Sequence, residues 1–219
     1  MTRIVRPGDV QGLVSAADRL RRGAVIVAPT DTNYGVFCDP FNPEAVRRVY
    51  AMKQRDGGKP LSMFVAAPND WQRWAKDPGH PGLPGLLDEV WPGPLNIIVR
   101  KRETVPDWVT SGQDTVAMVH NRCSVLNLLS IYSGIPLAAT SANISGTMDT
   151  GLVDFDTAVE HLGSHVDLAI QGESASAFTS SSTIVSLTGA VPAIVRQGDV
   201  TAELIARHLP DLAVPVAAR

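Results

Sequence analysis

Hydrophobic residues recur along this chain at two spacings, and each spacing predicts a different secondary structure. Spacings of three and four residues predict a helix over 9–21, ended by Gly23, and a second helix from Pro43 that delivers Lys53 and Arg55 at its end. The apolar stripe of the first helix consists of Val10, Leu13, Val14, Ala17 and Leu20. Further helices are predicted at 83–91, 124–132, 155–162 and 201–208. Short apolar runs predict strands at 24–28, 61–66, 95–99, 115–120, 137–139, 166–170, 183–187 and 193–195.

The order of these elements predicts the fold class. Strands and helices interleave without a strict β-α-β alternation, which favours an α/β fold with a twisted, mixed parallel and antiparallel sheet and flanking helices. With 219 residues, 44% of them hydrophobic, the chain can bury a sizeable core, and we expect a single domain over 1–219. Residues 172–182 are rich in Ser, Ala and Gly, which predicts a mobile loop.

Charge and cysteine content narrow the class of function. A formal net charge of −3 gives the whole chain no attraction to nucleic acid or to an anionic membrane, and only a local basic patch stays open. Cys38 and Cys123 lack a C-x-x-C spacing, which indicates reduced thiols. No segment has the apolar length of a membrane span, and the N-terminal residues lack the apolar stretch of a secretion signal. We therefore expect a cytoplasmic protein.

Two groups of polar residues follow predicted strands, where ligand-binding loops of α/β sheets lie. Residues 30–34 follow the strand at 24–28, and Thr140, Ser141 and Asn143 follow the strand at 137–139. Short polar side chains there can bind a phosphate or a carbonyl while backbone N–H groups surround an anion. The alternative is an ordinary turn in which they cap their own backbone. Within the first group, Asp31 could hold a metal or cap a helix.

Lys53 and Arg55 form a small cationic cluster at the end of the second predicted helix. Two positive side chains that flank one residue suit a di- or triphosphate. The alternative is a solvated helix terminus whose charges complement the helix dipole. No P-loop, dinucleotide-binding or zinc-protease motif is present in the sequence, and Gly163 interrupts the segment that would pair His161 with His165. We therefore predict no metal site built from protein residues.

Taken together and in order, several stretches resemble the YrdC-like family, whose best-known members are threonylcarbamoyl-AMP synthases of tRNA modification. The resemblance spans about 10–198. The matching stretches are P-T-D-T-x-Y-G at 29–35, K-x-R at 53–55 with Pro60 and Leu61 after it, W-P-G-P at 91–94, T-S-A-N-x-S-G at 140–146, S-T-I-V at 182–185 and R-x-G at 196–198. The length is similar to that of the compact members, which implies that the extra C-terminal domain of longer members is missing.

The resemblance implies a fold and a reaction. A twisted sheet would surround a concave, positively charged cavity that binds ATP, bicarbonate and an amino acid or amine. The amine would combine with bicarbonate to form a carbamate, whose oxygen attacks the α-phosphorus of ATP and expels pyrophosphate. The product would be a carbamoyl adenylate, and a downstream carbamoyl-transfer enzyme would be its partner. Because a carbamate decomposes in water, the loop at 172–182 would act as a lid.

The resemblance also implies roles for individual residues. Lys53, Arg55, Ser141 and Asn143 would hold the triphosphate, with Mg²⁺. Thr32, Tyr34 and Ser182 would line the amino-acid side, and Arg196 would contact the nucleotide. The remaining substrate-binding residues are Pro60, Leu61, Val119 and Thr140.

One departure from the family concerns the acceptor, which is the amino acid or amine that combines with bicarbonate. Members carry V-x-V-R-x-P in the strand at 115–120, with the arginine binding the carboxylate of the amino acid, whereas this chain has Val119 at the arginine and Asn121 at the proline. Alternation along a strand predicts that Val119 faces the cavity and His120 faces away. His120 or Arg122 could replace the arginine if the register slips by one. The acceptor is then threonine or a different, less acidic amine.

Two other functions stay open at this stage. Hydrogenase maturation proteins carry a YrdC-like domain that adenylates carbamate derived from carbamoyl phosphate, although this chain lacks their acylphosphatase and zinc-finger regions. A nucleotide- or RNA-binding module without catalysis is the third alternative. The intact Lys53, Arg55, Ser141 and Asn143 argue against such a module, and the acidic pI of about 5.9 argues against RNA as its main ligand.

Overall fold

The computed structural model of the chain describes residues 2–54, 58–144, 152–172 and 181–213. Arg55, the end of the T-S-A-N-x-S-G stretch at 145–146 and most of the predicted loop, 173–180, lie outside them.

Ten strands and seven α-helices alternate along the described residues. The strands are β1 Arg3–Val5, β2 Ile26–Ala28, β3 Gly35–Cys38, β4 Ser62–Phe64, β5 Leu95–Arg100, β6 Thr115–Val119, β7 Leu137–Ser141, β8 Leu168–Ile170, β9 Thr183–Ser186 and β10 Ala193–Arg196. The helices are α1 Val10–Arg21, α2 Pro43–Met52, α3 Leu83–Val90, α4 Asp107–Thr110, α5 Ser124–Ser133, α6 Phe155–Leu162 and α7 Ala202–His208. None of the helices in these ranges is both long and apolar enough to cross a membrane.

Side chains fix where several helices begin. The Asp9 carboxylate accepts a hydrogen bond from Gly12 N at 2.8 Å and starts α1, and the Asn42 side chain does the same for α2 ahead of Pro43. Such caps satisfy backbone N–H groups that have no partner inside the helix. Helix α2 ends at Met52, so Lys53 lies at its C-cap as the sequence predicts.

The strands form one mixed sheet in the order β1-β8-β2-β3-β7-β4-β6-β5-β9-β10. Four pairs of neighbours are parallel and five are antiparallel. The predicted α/β class with a mixed sheet and flanking helices is therefore confirmed. All eight predicted strands and all six predicted helices are present, whereas β1, β3 and α4 were not predicted.

Two details of the sequence prediction differ from the structure. Strand β3 is buried on both faces, so its side chains lack the polar alternation that marks a half-exposed strand. In α1 the predicted stripe is partly wrong, because Val10 is 59% and Val14 is 42% exposed. Ala17 and Leu20 are buried as predicted, and Gly12 and Ala16 are buried with them.

The two faces of the sheet are covered differently. Helices α1 and α5 pack against the face that carries Phe37 and Ala139, through residues such as Leu20 and Leu126. They cover the half of that face formed by β1, β8, β2, β3 and β7. Over β4, β6, β5 and β9 the same face is the floor of a cavity, which also reaches Phe37 of β3 and Ala139 of β7. The fold therefore leaves one half of a sheet face open to a ligand.

Candidate functional site

The open half of the sheet face bounds a cavity of about 650 Å³. Eight of the twelve residues that the sequence assigns to substrate or catalysis line it: Thr32, Tyr34, Pro60, Thr140, Ser141, Asn143, Ser182 and Arg196. Among the described lining residues, Arg196 is the one charged side chain, and the others are hydroxyl, amide or apolar groups. The cavity is therefore concave and weakly cationic, with no described carboxylate facing it.

Lys53 lies behind this lining. Its side chain is only 1% exposed, and Nζ donates hydrogen bonds to the backbone carbonyl oxygens of Ser141 and Asn143. The Asn143 side-chain oxygen lies 3.5 Å from the same nitrogen. A buried ammonium group requires such partners, because burying an unpaired charge is strongly unfavourable. Lys53 thus holds the backbone of the Ser141–Asn143 turn and does not itself line the cavity.

The sequence leaves two alternatives for Ser141–Asn143, a ligand-binding loop or a turn that caps its own backbone. The structure shows a self-capped turn whose side chains also line the cavity. Ser141 Oγ donates to Asn143 Oδ1 at 2.6 Å, and Asn143 Nδ2 donates to the Ile144 carbonyl at 3.0 Å. Ala142 N donates to the Tyr34 carbonyl at 2.8 Å and joins the turn to the neighbouring motif. Asn143 caps the local backbone, Ser141 holds the Asn143 side chain, and both side chains line the cavity, so the turn is preorganised.

Hydrogen bonds also hold the stretch at 30–34 in place. Thr32 N donates to Thr30 Oγ1 at 3.0 Å, and the Thr32 hydroxyl lies 3.5 Å from the Ser182 hydroxyl. Tyr34 is buried, and its hydroxyl accepts from Gly172 N at 2.9 Å. Burial raises the pKa of the Tyr34 phenol, which keeps it neutral and able to donate. This stretch therefore contacts residues on both sides of the segment 173–180.

Arg196 and Ser182 meet at the far wall of the cavity. Arg196 Nε and Nη2 donate to the Ser182 carbonyl at 3.1 and 2.7 Å. Gly198 lies against the same segment, because a Cβ atom there would be 2.6 Å from Ser182 C and from Thr183 N. The R-x-G stretch therefore fixes the backbone at Ser182 from two sides.

We expect Gly198→Ala to lower the free energy of unfolding by about 1–3 kcal/mol, because the added methyl group overlaps backbone atoms that belong to a strand. Urea denaturation measures the change. Gly189→Ala is the matched control, since its Cβ would meet the Val191 carbonyl at 3.4 Å, an ordinary contact. Equal stability of the two variants would contradict the proposed packing of Gly198.

Asp31 and Asn121 form a buried pair beside the cavity. Asn121 Nδ2 donates to Asp31 Oδ1 at 2.6 Å, and Arg122 N donates to Asp31 Oδ2 at 3.2 Å. Burial raises the pKa of the Asp31 carboxyl in spite of these donors. Because the folded state then holds its proton to higher pH than the unfolded state, the free energy of unfolding falls as the pH rises through that raised pKa. Asp31 thus holds the loop at Asn121 and Arg122 in place. Within the described ranges, no group of three or more His, Cys, Asp or Glu side chains could hold a metal ion.

Val119 and Leu61 lie outside the cavity lining. Both are 1% exposed; Val119 lies on the same face of β6 as Ala117, which lines the cavity, but Val119 itself is not part of the lining. His120 lies on the other face, with Nδ1 3.0 Å from the Val65 carbonyl, and Arg122 Nε donates to the Pro92 carbonyl at 3.4 Å. Neither side chain takes the place of the missing arginine. Asn121, which sequence comparison places at the family's proline, lines the cavity instead.

A transverse row of residues crosses the cavity floor from β4 to β10. Phe64 pairs with Val119, Asn96 with Ile184, and Ile184 with Arg196. Continuing the antiparallel register of β5 and β6, Asn96 lies opposite Val119. We call these five residues the floor row. All but Val119 line the cavity.

Asn96 is the main site residue that the sequence analysis missed. Its side chain is 8% exposed and lines the cavity, and its buried Oδ1 atom has no hydrogen-bond partner among the described residues. A buried polar atom without a partner destabilises a protein by about 1–3 kcal/mol and is uncommon in native structures. The signal was present in the sequence, because Asn96 is the one polar residue in the apolar run at 95–99.

Comparisons with known proteins agree with this geometry. The family model Sua5-YciO-YrdC, described as telomere recombination, matches residues 18–198. A putative threonylcarbamoyl-AMP synthase of Mycobacterium tuberculosis is 31% identical over 204 residues, which cover 91% of this chain and 89% of the relative. The crystal structure of Pyrococcus abyssi Sua5 complexed with L-threonine superposes with a TM-score of 0.89 at 28% identity, over 98% of this chain and 62% of that one. Escherichia coli YciO, at 21% identity and a TM-score of 0.80 over 93% of this chain and 99% of that one, shares the fold.

Proposed function

Because the chain belongs to the Sua5-YciO-YrdC family of threonylcarbamoyl-AMP synthase-like nucleotidyltransferases, we propose that it forms a carbamoyl adenylate from ATP, bicarbonate and an amino acid or amine. The observation that carries the proposal is the cavity itself. Side chains from the stretches at 30–34, 140–143, 182 and 196 line one cavity of about 650 Å³, large enough for a nucleotide together with a small amine.

The reaction proceeds in two steps whose atoms balance. The amine nitrogen attacks the bicarbonate carbon and water leaves, which gives a carbamate. A carbamate oxygen then attacks the α-phosphorus of ATP and forms the new P–O bond while pyrophosphate leaves. Neither step requires a covalent protein intermediate, so the protein contributes by positioning the reactants, neutralising the charge on the leaving pyrophosphate and limiting the access of water.

The described residues fit these tasks. Arg196, held by the Ser182 carbonyl, would contact the nucleotide, and the preorganised turn of Thr140, Ser141 and Asn143 would hold the phosphates. The buried Lys53 ammonium fixes that turn and adds positive potential behind it. Arg55, assigned to the triphosphate by its K-x-R stretch, lies outside the described residues.

The amine would bind on the side of Thr32, Tyr34 and Ser182, which the Thr32–Ser182 contact brings together. L-Threonine is the first amine to test, because it is the ligand of the Pyrococcus abyssi structure. If threonine is the acceptor, the product is threonylcarbamoyl-AMP, and a downstream carbamoyl-transfer enzyme of tRNA modification would consume it.

Magnesium would reach the cavity as part of the substrate. The described lining offers hydroxyl and amide oxygens but no carboxylate, and this donor set does not make a protein-built Mg²⁺ site. It does fit a magnesium–ATP complex, because Mg²⁺ on a nucleotide keeps several waters and binds mainly phosphate oxygens. The ion would supply further neutralisation of the phosphate charge.

The direct test measures pyrophosphate release from magnesium–ATP with bicarbonate and L-threonine or another amine. We expect release to require all three reactants and expect mass spectrometry to find the carbamoyl adenylate. Carbamoyl phosphate in place of bicarbonate and amine tests the chemistry of the hydrogenase maturation proteins. Nucleotide binding without turnover under every condition would contradict the proposal and favour a non-catalytic module.

A further inference from the structure

One of the two polar atoms of the Asn96 side chain reaches the cavity. Its Oδ1 atom is buried, whereas the residue as a whole is 8% exposed and borders the cavity, so the amide meets the cavity through Nδ2. Within the described part of the chain, no group accepts a hydrogen bond from this N–H₂ group. Because polar side chains this deeply buried are usually hydrogen-bonded, the acceptor is best explained as an atom of the ligand.

Asn96 lies at the end of the cavity assigned to the amine. It pairs with Ile184 across β5 and β9, and Ser182 lies two residues before Ile184, about 7 Å along the strand. The Ser182 hydroxyl is 3.5 Å from the Thr32 hydroxyl. The Ser141–Asn143 turn, which would hold the phosphates, begins three strands away and four residues further along the sheet, more than about 10 Å from Asn96.

The chemistry of this end of the cavity favours an anionic acceptor group. An N–H₂ group donates and does not accept, so the ligand atom beside it is an acceptor. Hydrogen bonds to an ionised acceptor are about twice as strong as neutral ones, which makes a carboxylate the strongest match. Arg196 is the one charged side chain of the described lining, and no described carboxylate faces the cavity. The buried Oδ1 atom of Asn96 is closed off from the cavity, so it does not oppose a negative charge there.

On the basis of the proposed function, we infer that Asn96 Nδ2 binds the carboxylate of the acceptor and that the acceptor is an α-amino acid. Asn96 is then a specificity-determining residue of the reaction. The hydroxyl groups of Thr32 and Ser182 supply further uncharged donors on the same side. The backbone of Arg196 lies two strands further along the floor row, about 10 Å away at the usual spacing of strands. The carboxylate is therefore held by neutral donors and not by an ion pair.

The experiment compares α-amino acids with their primary amides. L-Threonine, L-serine and L-alanine are each paired with the corresponding amide and supplied with magnesium–ATP and bicarbonate. The kcat/KM for pyrophosphate release is expressed per concentration of unprotonated amine, because the acid and the amide differ in amine basicity. The amide has nearly the shape of the carboxylate and lacks its charge. We expect the acid of the best pair to exceed its amide by about tenfold or more, equivalent to about 1.4 kcal/mol.

Variants then assign this preference to Asn96. Asn96→Ala should lower kcat/KM for the acid about tenfold through KM, with a much smaller change for the amide. Asn96→Asp, assayed at about pH 8.5 so that a buried carboxyl is ionised, should lower it about 100-fold for the acid and reverse the preference, because the new carboxylate repels the acid and accepts from the amide. Both variants should keep the wild-type KM for ATP and for bicarbonate.

Asn69→Ala is the matched control, because Asn69 is exposed and lies outside the cavity lining. Circular dichroism confirms that each variant is folded. A reversed preference between acid and amide is a readout that a merely structural role of Asn96 would not produce, and a folded Asn96→Ala variant is sufficient if Asn96→Asp does not fold.

The inference is overturned if each amide equals or exceeds its acid with the wild-type protein, or if the Asn96 variants lose acid and amide equally. A higher KM for ATP or bicarbonate alone in Asn96→Ala would assign Nδ2 to that substrate and overturn it as well. If no amine yields pyrophosphate, the proposed function fails, and calorimetry of threonine and threoninamide with the protein loaded with a non-hydrolysable ATP analogue decides the inference separately. Tighter binding of threonine would support the inference, and any other result would overturn it.

Discussion

Replacing Lys53 with methionine should lower both the free energy of unfolding and the rate of pyrophosphate release. Methionine fills a similar volume but donates no hydrogen bond, so the buried carbonyl groups of Ser141 and Asn143 lose their charged donor. Hydrogen bonds to charged groups contribute about 1.5–3 kcal/mol each. We therefore expect the free energy of unfolding to fall by about 3 kcal/mol, and pyrophosphate release to fall by about 100-fold or more because the phosphate-binding turn loses its shape.

Urea denaturation and initial rates measure these two effects on the same preparation. Lys76→Met is the matched control, because Lys76 is exposed and its side chain lies outside the cavity lining. A Lys53→Met variant with unchanged stability and greatly reduced affinity for ATP would mean that Lys53 contacts phosphate directly. Unchanged stability and activity together would remove the residue from the mechanism.

Removing the guanidinium of Arg196 should raise the KM for ATP by about 10- to 100-fold. The expectation follows from the loss of one charge-assisted hydrogen bond to the nucleotide, about 1.5–3 kcal/mol, and of the contact that holds the Ser182 carbonyl. Arg196→Ala tests this in an ATP titration at saturating bicarbonate and amine.

Two further variants sharpen this test. Arg196→Lys keeps the charge but cannot offer the two nitrogens that reach Ser182, so we expect a partial loss. Arg73→Ala is the control for a lost surface charge, because Arg73 is exposed and outside the cavity lining, where it lies 3.9 Å from Asp70 and over the Trp74 ring. An unchanged KM for ATP in Arg196→Ala would exclude Arg196 from nucleotide binding.

Much of the fold could be predicted because hydrophobic spacing and helix signals agree. Asp9, Asn42 and Pro43 mark the starts of α1 and α2 where the structure has them. Strand β3 cannot be recognised in the sequence, because a strand buried on both faces lacks the two-residue alternation of polar and apolar side chains. Its first residue, Gly35, also ends a polar stretch that indicates a loop. Val10 and Val14 were placed in the core because their spacing fits a helix stripe, but helix packing buries the neighbouring small residues.

The positions of the site residues could be predicted better than their contacts. Ligand loops after β2 and β7 follow from the sequence, because polar residues there come directly after apolar strands. The burial of Lys53 does not follow, because a lysine at a helix end is usually solvated. Its burial depends on carbonyl groups about ninety residues away in the chain, at Ser141 and Asn143.

The environment of Asn96 was equally inaccessible to sequence reasoning. A polar residue in an apolar run can pair with a neighbouring strand or remain unpaired, and only the register of β5 with β6 and β9 shows its neighbours. That register places it beside Val119 and Ile184, neither of which has a side-chain partner to offer.

The pairing of β3 with β7 and of β5 with β9 has a kinetic consequence. Each pair joins segments far apart in the chain, Gly35 to Ser141 and Leu95 to Thr183, and both pairs are needed to close the cavity wall. Such nonlocal contacts slow folding to times on the order of milliseconds to seconds. During synthesis the cavity is therefore completed only after β9 and β10 have emerged from the ribosome, because a shorter nascent chain lacks the wall formed by Ser182 and Arg196.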